Sequence, residues 1–442
     1  KISDRGLETL DHDDLDADRL RHFLSRLQRP DVPNLPAFVA KDLKAKFSRG
    51  FGSHGIHRNM TKAQLDELLQ LEPKLIDNLN FINIYLTKLA PSDDVDVAYD
   101  LEEKEKHLNR IYLFSKRLAP AHNSLKANAI YHMLRLQRSR GEWNRPLFME
   151  YLSLPRRGVY VNPKRWEEAL RRDRRIEVNL SADYRSFTGL DRIINDEPLV
   201  RSYFLKIFIK EQNYEPFVQL VRDDYLKPLF AEAKLTAGVG NPETWYSMLS
   251  SGEVRTIRER IDLEFAHSNK ERFSPGEEVK VKLWTKNVET LLVKEFEINA
   301  FNYYLGQGRE IDTAIELDGL SATRERTLTF EESPMRRVSR TFAFPELKKR
   351  GVYVIEFIGN GISSRILVRK GTLRLLEKTG PAGHEFHVID EANKPRPQAT
   401  AWIDGKEYEP DEKGVITVPF STRPGQRTAV LRDGDFSSLA RF

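Results

Sequence analysis

The chain has 442 residues, of which 40% are hydrophobic and 31% charged, and its formal net charge is +5. This length is typical of about three domains, each able to bury a core of its own. The small net charge does not by itself require a nucleic-acid or membrane partner, and no stretch approaches the ~18 consecutive apolar residues that span a bilayer.

The lack of cysteine and of a signal peptide limits the kinds of site and the cellular compartments that we expect. The chain has no cysteine, so disulfides, thiolate metal sites, cysteine nucleophiles and thioesters are excluded from it. An animal extracellular protein usually carries disulfides, whereas a bacterial protein from any compartment need not. Because the sequence opens on Lys1 without a signal peptide, we expect a segment cut from a longer protein.

The first predicted helix has Asp16 or Asp18 as its N-cap and ends before Pro30. The acidic run 11–18 also suggests a calcium loop. Its spacing does not match an EF-hand, because Leu15 stands where the third ligand position requires an oxygen. Helix capping is the interpretation that this spacing favours.

A wide apolar stripe predicts helical structure over 60–90, where Thr61 and Gln64 form a capping-box pattern. Pro73 lies inside the stripe and predicts a kink or a short break. The next helix ends before Pro120. The two segments end in similar sequences, IYLTKLAP and IYLFSKRLAP, which indicates either a helical-hairpin repeat or a chance similarity of two amphipathic helices.

Later apolar periodicities predict further helices over 122–140, 162–172, 197–213 and 215–234, and a loop with a last short helix within 238–250. The region 1–255 is therefore predicted to be an all-α helical domain, with a subdivision near 152–163 as an option.

Basic residues outnumber acidic ones by twelve to five between Arg135 and Arg175. Arginines with aromatic neighbours can bind phosphate backbones or other anionic surfaces. The candidate anion- or partner-binding patch consists of Arg156, Arg157, Arg171, Arg172, Arg174, Arg175 and Trp166. The alternative is a solvated helix face whose arginines pair with nearby acids. The lack of a DNA- or RNA-binding motif favours this alternative.

Short strands and turns replace the helices after about residue 256. Val279, Val281 and Leu283 alternate with lysines, which predicts a strand with one buried face. Near the end of 256–371, two strands are separated by Gly359-Asn360-Gly361, which predicts a tight hairpin turn. The density of short strands predicts one immunoglobulin-like antiparallel β-sandwich here and a smaller one, incomplete at its end, over 372–442.

The sequence of 262–371 resembles a macroglobulin domain of the bacterial α2-macroglobulin and complement-like family. The resembling stretches are RFSPGEEVKVKLWTKNV, TAIELDGL and FPELKKRGVYVIEFIGNGISSRILVRKG. The tail 372–442 resembles the transthyretin-like or carboxypeptidase-regulatory sandwiches, and the helical block resembles no family. The resemblance implies an exported protein, although the family's thioester trap needs a cysteine that this chain lacks.

A search for catalytic or metal-binding patterns yields no site. His384 and His387 flank a glutamate, but a zinc-protease motif needs two histidines four residues apart on a helix, and this segment is predicted to be a strand. His54 and His57 lie in a glycine-rich loop that could ligate a metal or hold an anion, although such loops more often only turn the chain. The sequence Gly306-Gln307-Gly308 is interpreted as a hairpin loop. We therefore predict no catalytic residues, no metal and no cofactor.

The leading hypothesis is a non-catalytic scaffold or protein–protein interaction segment of a larger exported bacterial protein, α2-macroglobulin-like and periplasmic, cell-surface or secreted. Its expected partner is a protein or another part of the parent chain, with no nucleic acid and no membrane span. One alternative is an enzyme whose site unites 143–175 with the loop 51–59 in a cleft of the helical domain. Another is anion or nucleic-acid binding through 135–175.

Overall fold

The change in periodicity predicted near residue 260 is present in the structure. The computed structural model describes residues 14–92, 95, 100–422 and 425–442, and the chain divides into two units, Lys1–Phe230 and Ala231–Phe442. The last helix before the strands ends at Glu259, and the first strand begins at Asp262. The predicted class, a helical region followed by antiparallel β-sheets, is confirmed. The predicted domain bounds at 255 and 371 stay a prediction.

The helical region is built from short helices joined by turns. Its described α-helices are Ala17–Arg26, Leu35–Lys44, Ile56–Asn59, Lys62–Leu71, Leu79–Thr87, Leu101–Ser115, Asn123–Ser139, Arg145–Leu152, Glu167–Arg172, Arg185–Thr188, Glu197–Phe208, Asp223–Ala237, Pro242–Tyr246 and Ser251–Glu259. None of the helices in the described part of the chain is long and apolar enough to cross a membrane.

Local capping and proline signals determine several helix ends as predicted. The Asp16 carboxylate accepts a hydrogen bond from the Arg19 backbone N–H at 2.8 Å, which makes Asp16 the N-cap. Thr61 and Gln64 form the predicted capping box. Pro73 breaks the 60–90 stripe, since it starts a 3₁₀ turn, Pro73–Asp77, between two α-helices. The calcium alternative for 11–18 lies partly outside the described residues.

The predicted helix over 215–234 is wrong in its first half. A 3₁₀ turn, Glu215–Phe217, comes first, and the α-helix starts only at Asp223. In between, Val221 pairs with Val161 as an isolated β-bridge, and the Arg222 backbone N–H donates to the Tyr160 carbonyl at 2.9 Å. This pairing between segments distant in sequence overrides the local helical pattern.

Aromatic packing forms the core of the second half of the first unit, Lys1–Phe230, which we call the helical unit. The Phe148 ring stacks on Tyr203 with centroids 4.7 Å apart, and Phe204 stacks on Phe208 at 5.1 Å. Phe217 meets Phe208 edge-on at 5.6 Å. The rings are almost fully buried, so this cluster holds the helices Arg145–Leu152 and Glu197–Phe208 together.

The second unit contains fifteen described strands in four sheets. In chain order they are β1 Asp262–Phe265, β2 Arg272–Phe273, β3 Val279–Lys286, β4 Thr290–Ile298, β5 Arg324–Thr329, β6 Arg337–Phe344, β7 Gly351–Gly359, β8 Ile362–Lys370, β9 Leu373–Gly380, β10 Gly383–Asp390, β11 Thr400–Ile403, β12 Lys406–Tyr408, β13 Ile416–Val418, β14 Thr428–Asp433 and β15 Phe436–Arg441. The sheet orders are β1-β3-β6, β2-β8-β7-β4-β5, β13-β10-β9 and β12-β11-β14-β15.

The first two sheets form the predicted larger sandwich. Val279, Val281 and Leu283 of β3 are buried, while Lys280 and Lys282 between them are exposed, as the alternation predicted. Strands β7 and β8 pair from Gly351↔Lys370 to Gly359↔Ile362, so two residues connect them. This sheet also contains one parallel pair, β2 with β8.

One predicted hairpin loop is wrong. Gly306 and Gln307 belong to an α-helix, Ala300–Gln307, and Gly308 follows it with a φ of 59° as the residue that ends the helix. The Asn299 side chain caps its N-terminus. Ala300 and Tyr304 are both buried in one apolar cluster with the distant Val430, and this packing decides for helix over turn.

The other two sheets form the predicted smaller sandwich over the tail, whose transthyretin-like resemblance stays a prediction. A shared apolar cluster joins it to the larger one. Phe301 meets Trp402 edge-on at 5.8 Å, and buried Val430 belongs to the same cluster as Val354 of β7. The two sandwiches of this unit therefore stabilise each other through a common core.

Candidate functional site

A cavity of about 440 Å³ lies in the helical unit. We call it the arginine cavity, and its lining residues are Arg156, Arg157, Gly158, Val161, Pro163, Trp166, Glu167, Leu170, Arg171, Arg174 and Arg222. Five of these residues are arginines and one is an acid. The cavity has the size of an ordinary small-ligand or side-chain pocket.

Three local features bring its walls together. A capped turn at Asn162, whose side-chain oxygen accepts from the Lys164 N–H at 3.1 Å, leads through Pro163–Arg165 into the helix Glu167–Arg172. The Asn162 backbone N–H donates to the Leu220 carbonyl at 3.0 Å. This contact and the bridge at Val161 place Arg222 beside the cavity, although it is distant in sequence.

Arg156 forms a buried part of the cavity wall and is only 2% exposed. Its Nη1 donates to the Tyr151 carbonyl at 2.7 Å, and its Nη2 donates to the Tyr160 hydroxyl at 2.8 Å. Asp196 Oδ2 lies 3.5 Å from Nη2 and accepts from both tyrosine hydroxyls, at 2.8 and 2.5 Å. Burial raises the pKa of both tyrosines, so the hydroxyls remain donors and the Asp196 carboxylate offsets the buried guanidinium.

The exposed arginines of the cavity differ in how they are paired. Arg157 lies 3.3 Å from Glu177, Arg171 lies 3.8 Å from Glu167, and Arg222 binds Asp224. Arg174 has no acidic partner among the described residues. Exposed ion pairs contribute little free energy, so these guanidinium groups remain available to a ligand anion.

Two donors at the cavity lack acceptors within the described part of the chain. They are the Nε–H of Arg156 and the Nε1–H of Trp166. The Trp166 side chain is half-buried, and the Arg165 guanidinium lies 5.0 Å from its ring centroid. A buried donor without an acceptor costs free energy.

The structure divides the seven residues of the predicted patch into two groups. Arg156, Arg157, Arg171, Arg174 and Trp166 line the cavity, whereas Arg172 and Arg175 do not. Arg172 pairs with Glu168, and Arg175 pairs with Asp173 at 2.9 Å. Arg156 differs from the other arginines of the patch in being buried, because Asp196 and two tyrosines hold its side chain in the interior. That the patch binds anions or a partner stays a prediction.

Sequence reasoning missed Arg222. Its neighbour Val221 reaches the site through one β-bridge, and no spacing rule connects it to 156–174. Two other aromatic residues of the basic stretch do not line the cavity. Trp143 packs edge-on against Tyr203 at 4.9 Å, and Tyr160 is buried under the cavity as the partner of Arg156.

The glycine-rich loop 51–59 is organised around a buried histidine. His57 is fully buried, stacks on Phe51 at 4.6 Å, and accepts a hydrogen bond at Nδ1 from the Gly52 N–H at 2.8 Å. Burial and the nearby His54 lower the pKa of His57 to about 4. No described group of three or more acids and histidines here or elsewhere could hold a metal ion. The loop contributes nothing to the arginine cavity.

The His384–His387 segment is strand β10, as predicted. His384 Nδ1 lies 2.6 Å from Glu377 Oε1 on the neighbouring strand. The cleft that the enzyme hypothesis requires would unite 143–175 with the loop 51–59. The arginine cavity does not unite these two regions. Its lining contains no histidine, and its one carboxylate is that of Glu167.

Two protein families match this chain. The family of the Actin-binding protein F N-terminal domain matches residues 1–261, and the AbpF first immunoglobulin-like domain matches residues 291–371. A curated relative, Actin-binding protein F of Dictyostelium discoideum, is 33% identical over 434 residues, which cover 96% of this chain and 18% of the relative. The chain thus spans about a fifth of the length of that relative.

Solved structures add only weak similarities. An Escherichia coli α2-macroglobulin fragment aligns with a TM-score of 0.29 and 11% identity, covering 41% of this chain and 63% of that chain. A titin Z1Z2 tandem aligns with a TM-score of 0.19 and 13% identity, covering 41% of this chain and 95% of that chain. Neither similarity carries an argument about function.

The family matches correct two predictions. The bacterial origin and the periplasmic, cell-surface or secreted location are wrong, because the helical block and the first sandwich both match families named for a Dictyostelium protein that binds actin. The β-sandwich prediction holds at the level of an immunoglobulin-like domain, and the block that resembled no family from its residues alone matches over its whole length.

Proposed function

The chain belongs to the family of the Actin-binding protein F N-terminal domain, and from this premise we propose that it is a non-catalytic segment that binds actin. It would act as part of a longer cytoskeletal scaffold in the cytoplasm. The observation that carries the proposal is the 33% identity that extends through the helical block and both sandwiches.

The architecture supports a binding role over a catalytic one. The strands of the second unit form two sandwiches that share a core, which suits a spacer of fixed form. The described cavity of the helical unit combines arginines with apolar side chains and offers no pair of groups for acid–base catalysis. A cavity lined by arginines and apolar side chains is suited to binding an acidic protein partner.

Co-sedimentation with filamentous actin tests the proposal. The 442-residue chain is mixed with filaments over a range of actin concentrations and centrifuged, and the same chain without actin is the control. We expect a saturable fraction in the pellet that decreases as salt increases, since guanidinium–carboxylate contacts are screened. A chain that stays in the supernatant at every actin concentration contradicts the proposal.

A further inference from the structure

We infer that the arginine cavity binds an acidic peptide segment of a protein partner, with one apolar side chain inserted between carboxylates. The inference rests on the proposed function only in taking the partner to be a protein. It names the site and the chemistry of the segment that the site accepts.

Charge is the first argument. Five arginines and one glutamate line the cavity. Arg174 has no acidic partner among the described residues, and the exposed Arg157 and Arg171 have partners at 3.3 and 3.8 Å. Peptide carboxylates can replace such intramolecular partners at small cost, because exposed pairs are weak. Guanidinium groups bind carboxylates through paired N–H donors, which adds direction to the attraction.

The apolar lining is the second argument. Val161, Pro163, Trp166 and Leu170 contribute hydrocarbon surface among the arginines. A purely anionic ligand such as inorganic phosphate would leave this surface in contact with water. A peptide that carries one aromatic or aliphatic side chain beside its acids would cover it, and burying such a side chain is worth roughly 1.5–3 kcal/mol.

The buried donors are the third argument. Arg156 is nine-tenths buried or more, lines the cavity, and keeps its Nε–H without an acceptor in the described part of the chain. Trp166 likewise has an unused Nε1–H. Because both atoms are shielded from solvent, a ligand oxygen can accept from them only if the side chain that carries the donor shifts.

A protein partner fits these features better than nucleic acid. A nucleic-acid backbone needs a track of exposed cations along its length. Here Arg172 and Arg175, which would extend such a track, pair with Glu168 and Asp173 outside the cavity. The concave shape instead suits a short segment with one inserted side chain.

Fluorescence anisotropy of a labelled peptide tests the inference with the full 442-residue chain. The probe has one phenylalanine between two runs of aspartate. Its two reference peptides carry asparagine for every aspartate, or glycine for the phenylalanine. Both changes should weaken binding, because one removes the charge and the other removes the apolar anchor.

Two double variants with the same change in net charge distinguish binding in the cavity from a general effect of positive charge. Arg171→Gln with Arg174→Gln alters the cavity lining. Arg172→Gln with Arg175→Gln alters the same segment outside it. We expect the first pair to weaken peptide binding by about tenfold or more, as loss of charge-assisted hydrogen bonds does. The second pair should change it by less than about threefold. Circular dichroism of both variants controls for folding.

Several outcomes would overturn the inference. They are no binding of the acidic peptide, equal losses in the two double variants, or tighter binding of a single-stranded oligonucleotide at the same cavity residues. Actin co-sedimentation tests the proposed function independently of the peptide-binding experiment. If the wild-type chain binds the peptide in the cavity but does not pellet, the actin proposal fails alone. If all variants pellet equally and none binds peptide, the cavity inference fails alone.

Discussion

Arg156 and Arg174 illustrate how burial changes the role of one residue type. Both are arginines of the same basic stretch, and nothing local distinguishes them. Arg156 is 2% exposed and linked to Asp196, Tyr151 and Tyr160, whereas Arg174 is exposed and has no acidic partner among the described residues. The first therefore contributes to the stability of the cavity wall and the second is available for binding.

Asp196→Asn should destabilise the helical unit by about 3–5 kcal/mol, because it leaves the Arg156 guanidinium buried without a compensating charge. Urea unfolding followed by far-ultraviolet circular dichroism measures this. The matched control is Asp191→Asn, which removes an exposed carboxylate 3.3 Å from Arg185 and should cost less than about 1 kcal/mol. Similar losses for the two variants would contradict the role assigned to Asp196.

His57 should make the helical unit less stable in mild acid. Burial and the nearby His54 lower its pKa to about 4, against 6.5 for an ordinary histidine. Below pH ~6.5 the unfolded chain takes up this proton and the folded chain does not, so stability falls as the pH drops toward 4. Between pH 7 and 5 the group should contribute a loss of about 1–2 kcal/mol.

The His57→Asn variant tests this pH dependence. Its free energy of unfolding should differ less between pH 7 and pH 5 than that of the unsubstituted chain, whatever its absolute stability. An identical pH dependence in both proteins would show that His57 is not responsible.

Among the elements, short-range signals and long-range pairings determine different parts of the chain. Pro73, the Thr61–Gln64 capping box and the Asn360-Gly361 turn act within a few residues, and each has its predicted effect. The segment around Val221 is different, because its bridge to Val161 stops a helix that its own sequence favours.

The turn between β7 and β8 requires positive φ at both of its residues. Asn360 has a φ of 47° and Gly361 a φ of 79°, and a Cβ on Gly361 would meet nothing within 4 Å. Gly361→Ala should therefore cost about 1–2 kcal/mol through backbone conformation alone. Thermal unfolding measures it. Asn360→Gly should lose only the exposed hydrogen bond that Asn360 Nδ2 donates to the Asn287 carbonyl at 3.1 Å, because glycine accepts the same backbone. A neutral Gly361→Ala would contradict this turn geometry.

At the scale of the whole molecule, the second unit behaves as two sandwiches with one common cluster. The helix Ala300–Gln307 packs between them, with Phe301 against Trp402 and Tyr304 in the same cluster as Val430. Each sandwich also has a core of its own. We therefore expect a local defect in the common cluster to affect both.

Val430→Ala and Val418→Ala are a matched pair for this test, each costing about 2 kcal/mol as a buried truncation. Val430 belongs to the common cluster and Val418 to the core of the smaller sandwich. Hydrogen exchange should accelerate in both β7 and β14 for Val430→Ala, but only in the smaller sandwich for Val418→Ala. Acceleration confined to the smaller sandwich in both variants would contradict the shared core.

The sequence by itself determined the switch from helices to strands near residue 260, the capping box that begins at Thr61, the break at Pro73 and the alternation of Val279, Val281 and Leu283. It limited the first N-cap to Asp16 or Asp18. These features depend on residues within one or two turns of each other, where periodicity and backbone chemistry decide. Five of the seven patch residues also line the cavity that the structure contains.

Only the tertiary structure decided the burial of Arg156, the position of Arg222 in the cavity lining and the helix at Ala300–Gln307. Each depends on a partner distant in the chain: Asp196 for the first, Val161 for the second, and Val430 with its cluster for the third. A sequence pattern indicates which side chains are able to become buried or paired. Packing between segments then determines which of these side chains are buried or paired, because the free energy of a buried charge or an apolar face depends on what covers it.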